Sequence, residues 1–320
     1  MHNCMGILFI KNSSYPPSPS HYPLSLSVMK NIFTYIGIAL LYSLSILPMW
    51  VLHRLADFLY FILYYVFGYR KAVVRKNLKA SFPEKSEIEL KKIEKGFYHH
   101  LCDLIVESLK GFTISEKEMR RRFTSEGNEV FEEFLNKKGH VILLTAHYNS
   151  WEWAGMSMGI YIDSNSYGMY KPLNNKPMEA ALLKSRQKFG LKMFPMRETT
   201  AAFERHKNEQ MVMAFVADQT PASLQTAHWL PFLNQDTAFF PGPEKFARRY
   251  NCSIVYADIT KVARSMYHTK FTLLVENPND CPPEGITKAY AAKLEQILKE
   301  RPQYWLWSHK RWKHSRPEGM

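Results

Sequence analysis

HVILLTAHYNSWEWAG, residues 140–155, changes character at its centre. The first seven residues, HVILLTA, are apolar and uncharged, a run of the length that reads as a short buried strand. Residues 151–160 read as a helix, so His147 falls at a strand-to-helix junction. Working outward, 129–137 and 176–189 carry helical patterns, and 211–217 (MVMAFVA) repeats the buried-strand signature. Two further strands are expected at 253–259 and 269–275, and a long helix at 284–300. Pro243 stands where a first helical position would be, opening PEKFARRY. Strands interleaved with helices, without an internal repeat, predict an α/β sheet covered on both faces.

The junction also carries the sharpest chemical signal, a histidine and a glutamate five positions apart (His147, Glu152). On one continuous helix they would diverge by about 140°. They can meet if His147 ends the strand and Glu152 lies in the first turn of the helix, with Asn149 or Ser150 as N-cap. The carboxylate then turns back on the imidazole, and the helix N-terminal amides face the same place. That is a base, an orienting acid and an oxyanion site. A lone histidine is more often structural; the end of a strand in an α/β sheet is where ligands collect. HExxH, GxSxG, Walker A and GxGxxG motifs are all missing from the sequence, which argues against a zincin, an α/β-hydrolase and a nucleotide-binding loop.

Composition narrows the class further. In 320 residues, 42 Lys and Arg against 29 Asp and Glu give a net charge of +13, which points to an anionic partner. With 46% hydrophobic and 14% aromatic residues the chain is neither disordered nor collagen-like. A mean hydropathy of −0.30 excludes a polytopic membrane protein but allows one greasy segment. The cysteines, Cys4, Cys102, Cys252 and Cys281, form no CxxC pair, so neither a disulfide scaffold nor a structural zinc is expected.

That greasy segment is near the start. Residues 1–28 hold a Pro/Ser cluster and read as a dispensable or mis-called leader ahead of Met29. Residues 31–53 lack Asp, Glu, Lys and Arg, 58–69 are uncharged again, and Arg70, Lys71, Arg75, Lys76 and Lys79 follow at once. An uncharged run of this length followed by basic residues predicts a membrane anchor over 29–69 with the bulk of the protein, 70–320, on the cytoplasmic side. Pro48 can split the run, leaving a spanning helix and a half-inserted hairpin both open.

With these residues in place, the chain resembles the lipid A biosynthesis acyltransferases, the late, secondary acyltransferases of the glycerolipid acyltransferase superfamily. The resemblance rests on the HxxxxE box of His147 and Glu152 and on motifs in the same order around it. These are Asn77-Leu78 before Ser81-Phe82-Pro83, then Lys171-Pro172-Leu173-Asn174-Asn175 ahead of Arg186. Gly190, Ala217-Asp218-Gln219, Gly242 with Ala247, and Pro302-Gln303-Tyr304-Trp305-Leu306-Trp307 with His309-Lys310-Arg311 complete the set, over roughly residues 29–316.

The resemblance implies a mixed central sheet flanked by helices, of the glycerol-3-phosphate acyltransferase type, at the cytoplasmic face of the inner membrane. It implies transfer of a fatty acyl group from an acyl-carrier-protein thioester to a hydroxyl of a lipid A precursor, with no metal and no bound cofactor. His147 would be the general base, Glu152 its orienting partner, and Arg186, Asp218, Gln219, Lys171, Asn174 and Gly242 substrate-binding positions. Acyl-carrier protein, the lipid precursor and an anionic membrane surface are the expected partners, and nucleic acid is not. Phe232-Leu233-Asn234 departs from the family's usual aromatic pair and glycine, and residues 238–244 also differ. These departures leave room for another acceptor, an aminolipid or a lysophospholipid. From a different class, a non-catalytic membrane- or nucleic-acid-binding protein also fits the basic charge.

Overall fold

The computed structural model describes residues 24–317 and 319, with side chains from residue 31 onward. Most of the expected leader, residues 1–23, lies outside the described residues, and residues 24–28 open the first helix. In chain order the helices are α1 (Leu24–Ser45), α2 (Met49–Tyr60), α3 (Lys71–Ser81), α4 (Glu87–Lys110), α5 (Glu116–Arg122) and α6 (Glu129–Lys138). They continue as α7 (Trp151–Tyr161), α8 (Lys176–Arg186), α9 (Thr199–Arg205), α10 (Gly242–Tyr250) and α11 (Gly285–Glu300). The strands are β1 (Phe123–Glu126), β2 (His140–Thr145), β3 (Asn165–Tyr170), β4 (Lys192–Pro195) and β5 (Met211–Val216). After them come β6 (His228–Phe232), β7 (Gln235–Phe239), β8 (Ser253–Ala263) and β9 (Met266–Val275).

Seven strands form one sheet in the order β1-β9-β8-β2-β5-β3-β4. Every neighbouring pair is parallel except β8 with β9, so the sheet is mixed, as the resemblance implies. Helices cover both faces because the strands are apolar on both. Ile142 and Leu144 of β2 enter one core, with Met213, Phe215 and Leu294. Val141 and Leu143 enter the other, with Phe131 and Phe134 of α6. Gly139, at φ 79°, ends α6 in the left-handed conformation that glycine adopts most easily and delivers the chain into β2. Gly159 of α7 lies so close to the Phe189 carbonyl that a β-carbon there would collide with it.

The departures noted in sequence lie at the β6–β7 hairpin and at the start of α10. Leu233 and Asn234 form the two-residue turn of the β6–β7 hairpin, with φ 49° and 60°. Such a turn needs positive φ at both positions, which glycine meets freely and asparagine tolerates. In the 238–244 segment Glu244 is buried and accepts from Thr287 N (3.0 Å), Thr287 Oγ1 (2.8 Å) and Arg248, clamping α10 to α11.

Among the described residues no single helix is long and apolar enough to cross a membrane. The greasy segment is instead a bent pair, 31–45 and 49–66, with 118° between its arms. The break falls at Pro48, which has extended geometry and caps α2. Lys110 Nζ (3.3 and 3.1 Å) and Thr113 Oγ1 (2.6 Å) satisfy the Ser45 and Leu47 carbonyls that the break releases. Nor is the second arm an appendage, since Leu52, Ala56, Tyr60 and Tyr64 lie in the main core. Burying a leucine such as Leu52 is worth about 1.5–3 kcal/mol, so this arm contributes to the stability of the whole domain. The outer faces of both arms stay bare: Phe33, Ile36, Leu40, Trp50, Phe58 and Phe61 are all more than half exposed.

Candidate active site

β2 and β5 lie side by side in register, His140 opposite Met211 and Thr145 opposite Val216. The offset is 211 − 140 = 71, and the same offset joins His147 to Asp218 (218 − 147 = 71). Parallel neighbours thus bring the two side chains together just beyond the carboxyl ends of their strands, where such sheets hold ligands. His147 Nδ1 lies 2.7 Å from Asp218 Oδ1, and the His147 backbone N–H donates to Asp218 Oδ2 at 3.0 Å. Trp305 Nε1 donates to the same Oδ2 at 2.7 Å. Trp305 is brought there by an isolated bridge with Tyr148 and by Asn77, whose amide holds the Trp307 and His309 carbonyls at 2.9 and 3.0 Å.

Burial alone would raise the Asp218 carboxyl, but the imidazole and the bonds from His147 and Trp305 outweigh it and hold it below the usual carboxylate range. Burial likewise pulls the His147 imidazole down. Asp218 wins, with a smaller contribution from Glu152, and the imidazole sits above its ordinary value. With Nδ1–H given to the carboxylate, Nε2 is left as the basic lone pair. The Gln219 amide nitrogen donates to that Nε2 at 3.1 Å. The His147 side chain is 20% exposed and Asp218 only 3%, so the imidazole edge faces out and its acid is sealed behind it.

Glu152 lies in the first turn of α7, as its spacing suggests, but the carboxylate on His147 Nδ1 is that of Asp218. Glu152 makes a two-pronged bond with Arg186, at 2.8 Å to Nε and 2.7 Å to Nη2. This fork joins the start of α7 to the end of α8. Arg186 therefore has neither surface partner its neighbourhood in sequence offers, Glu179 or Glu198. Ser150 is the N-cap residue of α7 but makes no side-chain cap, its hydroxyl donating at 2.7 Å to Glu107 instead. Asn149 holds a left-handed φ of 52° and donates to the Ile259 carbonyl at 2.7 Å.

Among the described residues, Lys171 and Asn174 make no hydrogen bond to these groups and are exposed on the loop before α8. Their neighbour Asn175 caps α8 and reaches Thr34 of α1 at 2.9 Å. Gly242 is buried at the start of α10, against the Phe240 ring.

Glu107 beside the site escapes the sequence reading, and His309 and Arg311 lie in the C-terminal motif without a role assigned to them there. Glu107, deep in α4, accepts from the Ser150, Ser265 and Tyr267 hydroxyls, and burial lifts its carboxyl to about 7. Its signal was a lone acid inside LIVESL. His309 contacts Thr220, and burial pushes it down to about 4. Arg311 is buried with its guanidinium 4.9 Å from the Phe239 ring centre, and that guanidinium has no hydrogen-bond partner among the described residues. Burial lowers its pKa to about 10 against the pull of Asp218.

Residues 21–314 match the family described as bacterial lipid A biosynthesis acyltransferase. The chain is 24% identical over 253 residues to the lipid A biosynthesis palmitoleoyltransferase of Escherichia coli K12, covering 78% of this chain and 80% of that one. A Shigella flexneri lipid A biosynthesis acyltransferase matches to the same extent. The E. coli K12 lipid A biosynthesis lauroyltransferase is 22% identical over 293 residues, 90% of this chain and 93% of that one.

Proposed function

Since the chain belongs to the bacterial lipid A biosynthesis acyltransferase family and is an acyltransferase, we propose that it moves a fatty acyl group from an acyl-carrier-protein thioester to a hydroxyl of a lipid A precursor, with His147 as general base. The observation that carries the assignment is the 2.7 Å contact of His147 Nδ1 with a buried carboxylate, at a strand end, with Nε2 met only by the Gln219 amide among the described residues.

The acceptor hydroxyl takes the place of the Gln219 amide at Nε2 and gives its proton to the imidazole. The alkoxide forms a bond to the thioester carbonyl carbon, the C–S bond breaks, and the imidazolium returns the proton to the departing thiolate. Asp218 fixes the tautomer and stabilises the imidazolium. The uncapped first turn of α7 offers N–H groups for the oxyanion. The Glu152–Arg186 fork holds that turn in place, and the Glu152 charge adds to the stabilisation of the imidazolium. Lys171, Asn174 and Gly242 act at one remove, on the acceptor's approach and in the packing behind the site.

The bent α1–α2 pair, bare and apolar outside and anchored in the core inside, supports attachment to the cytoplasmic face of the inner membrane. The 29–69 segment is then an anchor that is also part of the catalytic body.

The test uses the full chain, acyl-carrier protein loaded with a labelled fatty acid, and a lipid A precursor, with products read by mass spectrometry. A new ester on the precursor is expected, and His147→Ala should lower turnover by about 10³-fold or more with an unchanged circular dichroism spectrum. Wild-type-like turnover of that variant overturns the role of His147. Transfer only to a lysophospholipid or an aminolipid overturns the acceptor assignment.

A further inference from the structure

Beyond the His147 site, the elbow between α1 and α2 borders an open cavity of about 740 Å³. Four of its lining residues are basic: Lys110 at the end of α4, and Lys117, Arg121 and Arg122 on α5. Glu118 is the one acid among the lining residues, so the lining carries 4 − 1 = 3 net positive charges, with His53 taken as neutral. That carboxylate already faces three cations, Arg122 at 3.0 Å, Lys110 at 3.9 Å and Arg121 at 4.0 Å. Lys117 is exposed and has no partner among the described residues. The rim is apolar, with Ile46 and Trp50 each 69% exposed, and the bare faces of both helices lead away from it.

A basic cluster beside exposed apolar side chains and bare apolar helices matches one kind of molecule, an anionic headgroup carried on acyl chains. We propose that this elbow cavity is a binding site for the phosphate headgroup of an anionic membrane phospholipid, separate from the acyl-transfer centre. The phosphate sits among Lys117, Arg121 and Arg122, which Glu118 cannot neutralise alone. The chains follow the outer faces of α1 and α2 past Ile46 and Trp50. Lys110 is committed to the Ser45 and Leu47 carbonyls, so it fixes the shape of the site while adding charge.

The test needs no turnover, so its outcome is independent of the proposed reaction. Full-length protein in an uncharged detergent is titrated with phosphatidylglycerol, with phosphatidylcholine of the same chain length, and with inorganic phosphate, and bound lipid is read by native mass spectrometry. Phosphatidylglycerol should bind about tenfold or more tightly than phosphatidylcholine, with inorganic phosphate a poor competitor. Lys117→Ala with Arg121→Ala should remove most of that preference. Lys207→Ala with Lys245→Ala, which removes the same charge from exposed positions elsewhere, should leave it intact. Equal binding of the two lipids, or equal weakening by the two double variants, overturns the site in favour of diffuse surface charge. Competition by inorganic phosphate at the lipid's own affinity overturns the role of the apolar rim. Displacement of the phospholipid by a phosphorylated lipid A precursor assigns the cavity to the acceptor and likewise overturns the proposal.

Discussion

Asp218 and Glu152 flank the same imidazole and are built in opposite ways. The Asp218 side chain is 3% exposed, and hydrogen bonds from the His147 ring, the His147 backbone and the Trp305 indole fix both its oxygens. Glu152 is 28% exposed, and its partner is a guanidinium that is 32% exposed. One carboxylate is locked behind the imidazole, where low polarity strengthens its field. The other stands on the rim, where water weakens the field but a side chain can move. The difference teaches that the acid nearest in sequence to a histidine at a strand end need not be the acid bonded to it.

Substitution of Asp218 sharpens this comparison most. Asp218→Asn should lower turnover by on the order of 10²–10⁴-fold, because the amide favours the wrong tautomer and cannot stabilise the imidazolium. A sign follows from the shifts. Asp218 raises the His147 pKa, and the base must be neutral to act, so activity rises as pH climbs through that raised value. Removing the carboxylate should move this acid limb of kcat/KM to lower pH. If Glu152→Gln moves the limb further than Asp218→Asn does, the comparison is broken.

A smaller effect is expected on the rim. Arg186→Ala and Glu152→Gln should each lower turnover by roughly 10- to 10²-fold by loosening the start of α7. The double variant should be little worse than either single one, because the two side chains act as a pair. The fork, with both side chains about a third exposed, itself contributes at most about 1 kcal/mol to stability. Additive losses in kcat/KM would show that the two residues work separately.

The smallest effect on chemistry belongs to a third carboxyl, Glu107. Its value is raised to about 7 in the fold, above the ordinary carboxyl value of 4.5. The folded state therefore binds more protons between those values, and stability falls as pH rises through that window. Glu107→Gln should flatten the decline of Tm from pH 5 to pH 8 and change kcat less than threefold, about 0.7 kcal/mol. An unchanged slope would mean that Glu107 is ionised throughout.

Much of the fold is legible in the sequence because its central strands are short apolar runs, 140–146 and 211–217, that cannot be placed elsewhere. β1, β3, β4 and the β6–β7 hairpin are short or polar and lack that periodicity, and their pairing is decided by neighbours distant in sequence. The site divides in the same way. His147 is visible as the end of a strand, and Glu152 as part of a helical first turn. The Asp218 contact depends on β2 and β5 being adjacent and in register, information that no local pattern holds. Trp305 and Asn77 are in the motifs, but their part in holding Asp218 emerges only when the C-terminal tail crosses back over α3.

Gly159 has no polar atom in its side chain and sits two turns from the chemistry, yet its missing carbon sets the spacing between α7 and the segment that follows α8. The helices α7 and α8 carry the two halves of the rim fork. Alanine at 159 would push α7 away from the Phe189 carbonyl and so disturb the helix that carries Glu152. Proximity to the reacting atoms and intolerance to change are different maps of this enzyme, and at Gly159 they disagree.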